Sequence, residues 1–188
     1  MDTTTPDGDD RPVVLAVDDE KRVVQAFALW LENYDVRTAT GGEEALDAID
    51  DDVDVVLLDR HMPHMSGDEV LEEIRERGYD CRVAMVTAVD PDFDIVDMPF
   101  EEYVQKPVDQ AELTELIDRL ADLERYDERI DDLYSVVQKR VTLEAELPES
   151  ELEDSDRYQR LLERERELEA ETDDVIESMD DDGFEQLF

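Results

Sequence analysis

Short apolar runs that each stop at a polar residue dominate the first half of the chain. Val13–Val17 is continuously apolar and Val53–Leu58 is apolar except at Asp54, which is typical of strands buried on both faces, and each run is followed directly by an aspartate. Between the runs, apolar residues recur at helical spacing. Strands that alternate with helices predict a doubly wound parallel sheet with helices on both faces. The predicted strands are Val13–Val17, Val36–Ala39, Val53–Leu58, Arg82–Val86 and Tyr103–Gln105.

Polar residues of complementary chemistry follow these strands. They are Asp18, Asp19, Asp59, Thr87 and Lys106. In open parallel sheets, ligands bind at the carboxyl ends of the strands, so these side chains are expected to converge. Three carboxylates repel one another unless a hard cation lies among them, and such oxygen ligands suit Mg²⁺. A lysine and a hydroxyl complete a site for a phosphoryl group, and Asp59, alone at the end of its strand, is the expected nucleophile.

Cysteine and histidine are too scarce for other common sites. The chain has one cysteine, Cys81, and two histidines, His61 and His64, which excludes a disulfide framework and a Cys/His zinc site. We expect both histidines to be exposed loop residues and Cys81 to be a small buried residue. The alternative, a ligand or catalytic role for the histidines, is less favoured.

The charge is extreme. Fifty-eight Asp and Glu against 18 Lys and Arg give a net charge of -40. This charge excludes a general basic nucleic-acid binder and would repel an anionic membrane. Molar salt would screen the self-repulsion, which predicts a halophilic protein. Residues 1–11 are expected to be a disordered acidic leader rather than a signal peptide, and no run is long enough to span a membrane, so we expect a cytoplasmic protein.

Helical periodicity replaces the strand pattern after Asp109, which with Glu112 forms a predicted N-cap. It continues to about Leu147, where Pro148 interrupts it, and a second helix follows that Ser150 or Ser155 could cap. Each helix carries an apolar stripe. The stripes predict an antiparallel helical hairpin, or a coiled coil between two chains that would make a homodimer.

Several motifs in order carry a resemblance to a known family. They are Asp18-Asp19, Asp59 followed by Met62-Pro63 and Met65-Ser66-Gly67, Val86-Thr87-Ala88, and Tyr103 ahead of Lys106-Pro107. With these motifs the chain from Val13 to about Leu120 resembles a response-regulator receiver domain of the CheY-like family. The resemblance implies a flavodoxin-like sheet with strand order 2-1-3-4-5. It also implies a receiver over residues 12–120, a helical hairpin over 121–182 whose first helix continues the last receiver helix, and a tail over 183–188.

The resemblance also implies roles for the strand-end residues. Asp59 would accept a phosphoryl group from a sensor histidine kinase. Asp19, Asp59 and the backbone carbonyl of His61 would bind Mg²⁺ directly, and Asp18 would act mainly through water. Lys106 would pair with the phosphoryl oxygens. Such a protein is not an enzyme in the usual sense, because it catalyses only its own phosphorylation and dephosphorylation.

The family reports phosphorylation through a switch, which the resemblance places on two residues. Thr87 would move toward the phosphoryl group and Tyr103 would change rotamer. The sequence departs from the family between Thr87 and Lys106, where we count about three positions fewer than expected, nearly one helical turn. Asp90-Pro91 and Met98-Pro99 also interrupt that stretch. The helix there is expected to be short or irregular, which puts a dimer through the usual signalling face in doubt.

The C-terminal segment resembles the HalX domain, which follows receivers in haloarchaeal proteins. This resemblance implies gene regulation and allows DNA binding, whereas the acidity of the segment favours a protein partner. A transcription regulator, an adaptor and a receiver without further output all remain open. Arg157, Arg160, Arg164 and Arg166 are the only concentrated basic group. Each has an acid three residues away, Asp154 in the case of Arg157, so we expect a salt-bridged helix face rather than a DNA contact.

Overall fold

The sheet has the expected topology. The computed structural model of the chain describes residues 11–123 and 128–176, and its five parallel strands lie in the order β2-β1-β3-β4-β5. The predicted α/β class, with helices after the sheet, is therefore confirmed. The strands are β1 (Val13–Val17), β2 (Asp35–Ala39), β3 (Val55–Leu58), β4 (Arg82–Thr87) and β5 (Glu102–Gln105). The expected leader, the tail and the junction at 124–127 lie outside the described residues.

Seven α-helices surround the sheet in the part of the chain that is described. They are α1 (Lys21–Trp30), α2 (Gly42–Ala48), α3 (Gly67–Glu76), α4 (Gln110–Leu123), α5 (Glu128–Glu146), α6 (Glu149–Glu153) and α7 (Asp156–Ile176). Side chains alternate between the two faces of each strand. Val14 and Val55 therefore pack with residues of α1 and α4, whereas Leu15 and Val56 pack with residues of α2 and α3. Burial on both faces explains why the central strands β1 and β3 are apolar throughout.

A five-residue 3₁₀ helix, Phe93–Asp97, lies between β4 and β5, where the family resemblance implies a fourth helix. The side chain of Asp92 accepts a hydrogen bond from the backbone N–H of Phe93 at the start of this turn. Pro91 and Pro99 flank it, and proline has no N–H with which to extend a helix. The expectation of a short or irregular helix agrees with this structure.

The three-residue spacing of Thr40 and Glu43 predicts a capping box, but the structure gives Thr40 a different partner. The Glu44 carboxylate accepts from the Thr40 N–H at 2.6 Å and from its hydroxyl at 2.7 Å. Helix α2 begins only at Gly42, so the side chain one full turn after Thr40 is the one that reaches it. Asp109 and Glu112 exchange the two predicted bonds, at 2.9 and 3.0 Å.

The C-terminal helices form an antiparallel pair. Arg129 of α5 donates to the Glu171 carbonyl, and Tyr158 of α7 donates to Glu144 at the other end of α5. Ser155 accepts from the Tyr158 N–H at 3.3 Å, so the later of the two proposed cap residues is the one used. The predicted hairpin is thus present within a single chain.

The hairpin also packs against the sheet. Tyr134 of α5 is fully buried and donates a 2.5 Å hydrogen bond to Glu102 of the edge strand β5. Leu143 of α5 and Leu161 of α7 belong to the same buried cluster as Leu15 and Met85 of the sheet. The core of the sheet therefore extends into the C-terminal helices.

None of the described helices combines the length and apolarity needed to cross a membrane.

Candidate functional site

Three carboxylates meet at the carboxyl ends of the central strands. Asp18 and Asp19 follow β1, Asp59 follows β3, and each offers an oxygen within 4.8 Å of the others. Asp18 and Asp59 are almost completely buried, at 2% and 6% exposure, whereas Asp19 is exposed. The parallel pairing of Val17 with Leu58 brings them together, because it ends both strands at the same level. The site thus has two buried carboxylates and one open to solvent.

Lys106 is the cation of this cluster. Its Nζ donates to Asp18 and lies 3.4 Å from Oδ1 of Asp59. Burial lowers the pKa of Lys106, but the hydrogen bond to Asp18 and the negative charges of Asp59 and Asp18 outweigh it, and the pKa ends above its ordinary value. The ammonium therefore stays charged across the physiological range. It holds the buried pair together electrostatically.

Thr87 closes the site on the side of β4. Its side chain is fully buried, its carbonyl accepts from the Lys106 N–H at 2.8 Å, and its hydroxyl accepts from the Val89 N–H at 3.3 Å. Lys106 and Thr87 therefore stand at neighbouring strand ends. A hydroxyl at this position can donate to an oxygen of a ligand bound among the carboxylates.

The charge balance suits a divalent cation. Three carboxylates and one ammonium leave two uncompensated negative charges in a largely buried cluster, which is costly without a further cation. Mg²⁺ takes one or two protein carboxylates and keeps several waters. Asp18, Asp19 and Asp59 are the residues that could hold it, and the exposed side of Asp19 leaves room for water ligands.

The histidines and Tyr103 differ in their environments. His61 and His64 are exposed loop residues, and His64 has a positive φ of 70°. Tyr103 is buried, and its hydroxyl donates a 2.8 Å hydrogen bond to the carbonyl of Val89, two residues beyond Thr87. Burial raises the pKa of Tyr103 against the opposing influence of Arg60. The predicted switch residue is thus bonded to the backbone just after Thr87.

Arg60 is a residue of this region that the sequence analysis missed. It follows Asp59, is 8% exposed, and donates through Nε and Nη2 to the two oxygens of Asp68, at 2.8 and 3.0 Å. Nη2 also donates to Asp94 of the 3₁₀ helix. Burial opposes its charge, but the bonds to Asp68 and Asp94 hold its pKa above the ordinary range. An arginine directly after the expected nucleophile, in a chain with so few basic residues, was the sequence signal that could have identified it.

The arginines of α7 only partly follow the expected pattern. Arg164 pairs with Glu167 of its own helix at 3.4 Å, as predicted, and also lies 3.8 Å from Asp132 of α5. Arg157 instead pairs with Asp97 at 3.6 Å and donates to the carbonyl of Phe93 at 3.3 Å. The prediction that Arg157 pairs with Asp154 is wrong, because the 3₁₀ helix lies against the start of α7.

The sequence matches the family "Response regulator receiver domain" over residues 14–118 and the family "HalX domain" over residues 122–188. It is 59% identical over 110 residues to a Haloferax volcanii protein named "Putative transcriptional regulator". That alignment covers 57% of this chain and 19% of the relative, so the chain spans about a fifth of that protein's length.

Solved structures resemble the receiver part. A response regulator receiver domain from Clostridium thermocellum is 30% identical, with a TM-score of 0.56 over 61% of this chain and 97% of its own. A CheY-like receiver from Methanospirillum hungatei is 26% identical, with a TM-score of 0.57 over 61% and 97% of the two chains. The response regulator TrrA from Thermotoga maritima, in complex with Mg²⁺ and BeF, is 34% identical, with a TM-score of 0.50 over 58% and 98%.

Proposed function

The chain belongs to the response regulator receiver family, and from this premise we propose that it accepts a phosphoryl group from a sensor histidine kinase on Asp59. Residues 12–120 would receive the signal, and residues 121–182 would carry the output. The observation that supports the proposal best is the convergence of Asp18, Asp19, Asp59 and Lys106 at one edge of the sheet.

The chemistry follows from the arrangement of the side chains. An oxygen of Asp59 bonds to phosphorus while the bond from phosphorus to the donor's nitrogen breaks, which yields an acyl phosphate and returns the electron pair to the donor. Lys106 stabilises the charge on the transferred oxygens, and Thr87 donates a hydrogen bond to one of them. Asp19, Asp59 and the carbonyl of His61 would hold Mg²⁺ directly and Asp18 would hold it mainly through water, and the ion would neutralise the phosphoryl charge. Tyr103 then reports the movement of Thr87 through the bond to Val89.

Intact-mass measurement tests the phosphoacceptor. The full chain is incubated in molar KCl with acetyl phosphate and Mg²⁺, and we expect the mass to increase by one phosphoryl group. Asp59→Asn should lose the increase. Asp52→Asn, which makes the same change at an exposed residue, should keep it. An unchanged phosphoryl level in Asp59→Asn would contradict the assignment.

For the output we propose regulation of transcription through a protein partner rather than through direct DNA contact. The resemblance to the Haloferax volcanii protein supports gene regulation, although its named activity belongs to a much longer chain. The engagement of Arg157 with Asp97 and of Arg164 with Asp132 speaks against a free basic surface. Molar salt weakens phosphate contacts further.

Chromatin immunoprecipitation in native salt tests the output. Wild type is compared with a variant in which Arg157, Arg160, Arg164 and Arg166 are all changed to Gln. Promoter peaks that persist in the variant support recruitment through a protein. Peaks that vanish in it, while Asp59 is still phosphorylated, establish direct contact with DNA and contradict the proposal.

A further inference from the structure

We propose that the 3₁₀ helix Phe93–Asp97 transmits the state of Asp59 to the C-terminal helices, with Arg60 holding it on the receiver side and Lys139 on the output side. The inference rests on the proposed function, because it concerns how phosphorylation of Asp59 reaches α5 and α7. Neither Arg60 nor Lys139 is a ligand or a nucleophile. Both act as positioning residues.

Arg60 joins the phosphoacceptor loop to the 3₁₀ helix. Its backbone carbonyl accepts from the Gly67 N–H at 2.9 Å, and its guanidinium bonds to Asp68 at the start of α3 and to Asp94. The residue next to Asp59 is therefore fixed at both its backbone and its side chain. A shift of the backbone at Asp59 moves the guanidinium, and with it the partner carboxylate of Asp94.

Lys139 holds the other end from α5. It is one of three lysines in the chain and is 6% exposed. Its Nζ donates to the carbonyl of Met98, the residue after the 3₁₀ helix, at 2.6 Å, and lies 5.1 Å from the ring centroid of Phe100. The hydroxyl of Ser135, one turn earlier, donates to the Phe100 carbonyl at 2.6 Å. A buried ammonium is costly unless it is bonded, so its position is closely tied to this carbonyl.

Helix α7 covers the same element. Ile95 of the 3₁₀ helix is fully buried in one cluster with Tyr158 and Leu161 of α7. Arg157 adds its bonds to Phe93 and Asp97 at the surface. The 3₁₀ helix thus lies between the phosphoacceptor loop and both long output helices.

This arrangement couples occupation of the Asp59 site to the packing of α5 and α7. A short 3₁₀ helix held from both sides by side chains cannot move on one side without loosening or tightening contacts on the other. Coupling between sites is reciprocal in binding free energy, so occupation of the Asp59 site changes the packing of α5 and α7, and a change at Lys139 changes occupation of the Asp59 site.

Hydrogen exchange on the full chain tests the receiver side. Phosphorylation with acetyl phosphate and Mg²⁺ should change amide exchange in residues 129–146 and 156–170 of wild type by about fivefold or more. Arg60→Gln should remain phosphorylated yet lose most of that change. Arg77→Gln is the control, since Arg77 pairs with Glu73 on α3 and donates to Leu46, away from the 3₁₀ helix. If Arg60→Gln does not fold, Asp94→Ala removes the same bond from a half-exposed residue.

Affinity for beryllofluoride in the presence of Mg²⁺ tests the output side. Lys139→Met should shift it about fivefold or more, whereas Arg166→Met, which removes a charge from an exposed position of α7, should leave it unchanged. Different results would contradict the proposed function and the coupling proposal. Absence of a phosphoryl mass increase in wild type overturns the proposed function. Full phosphorylation with unchanged exchange in α5 and α7, undiminished transmission in Arg60→Gln, or unchanged affinity in Lys139→Met overturns this one.

Discussion

Gly67→Ala is expected to damage the phosphoacceptor site without changing any of its polar side chains. A Cβ atom at residue 67 would lie 2.2 Å from the carbonyl oxygen of Asp59 and 2.9 Å from Cα of Arg60. Ordinary contacts begin at 3.4 Å, so the start of α3 and the loop after β3 must move apart by about 1 Å. Both neighbours are backbone atoms and cannot rotate away.

Two magnitudes follow from that displacement. Overpacking of this kind costs about 1–3 kcal/mol of unfolding free energy. The 2.9 Å bond from the Gly67 N–H to the Arg60 carbonyl is strained as well, which adds about 1 kcal/mol. A reacting group that is misplaced by 1 Å loses about 100-fold in rate, so phosphorylation of Asp59 should slow by that order.

The assay combines a phosphorylation time course, followed by intact mass, with denaturant unfolding in molar KCl. Gly41→Ala is the matched control, because a Cβ atom there meets nothing within 4 Å. It should match wild type in both measurements. If Gly67→Ala is phosphorylated within threefold of the wild-type rate and is equally stable, the steric argument is refuted.

Three further predictions concern the hairpin, its buried lysine and the charge of the chain. Leu161→Ala should lower the unfolding free energy by about 2–5 kcal/mol in a denaturant titration, because Leu161 is 3% exposed. Leu29→Ala, at a residue that is 76% exposed, should change it by less than about 0.5 kcal/mol. Equal losses in the two variants would contradict the packing of α7 on the receiver. Burial lowers the pKa of Lys139 from 10.5 to about 8, against the opposing charges of Glu101, Asp97 and Asp132. The native state therefore releases this proton at lower pH than the unfolded state, and the unfolding free energy of wild type should rise between about pH 8 and 10 relative to Lys139→Met; parallel pH curves would contradict this. The midpoint temperature of thermal unfolding should rise when KCl is increased from 0.1 M to about 1 M, because the Debye length around this chain of net charge -40 falls from about 10 Å to about 3 Å. A midpoint that stays constant or falls would contradict stabilisation by charge screening.

The sheet and its polar edge were predictable because each strand carries its own signal. Val13–Val17 is apolar at every position, and the residue that follows a parallel strand must lie at the common carboxyl edge. The approach of Lys106 to Asp18 and Asp59 therefore required only the strand order, which the family resemblance provided.

The contacts between the receiver and the hairpin were not predictable in the same way. An apolar stripe shows which face of a helix is buried but not what buries it. The sequence predicts that the apolar stripe of α7, which includes Leu161, pairs with the other helix, yet Leu161 also belongs to the core cluster of the sheet. Lys139 gives no signal in the sequence, because its partners are a backbone carbonyl and an aromatic ring 41 and 39 positions away.

The shared core restricts how this chain can have evolved. The two families meet between residues 118 and 122, yet Leu143 and Leu161 from one side of that border are buried with Leu15 and Met85 from the other. Recombination at the border would join a receiver to helices that pack on a different surface. The apolar residues of the receiver and of the helices would then be exposed. The two parts are expected to be inherited together, with substitutions around Phe93–Phe100 matched by substitutions in α5 and α7. A comparison of such chains should then find the two parts with the same branching order.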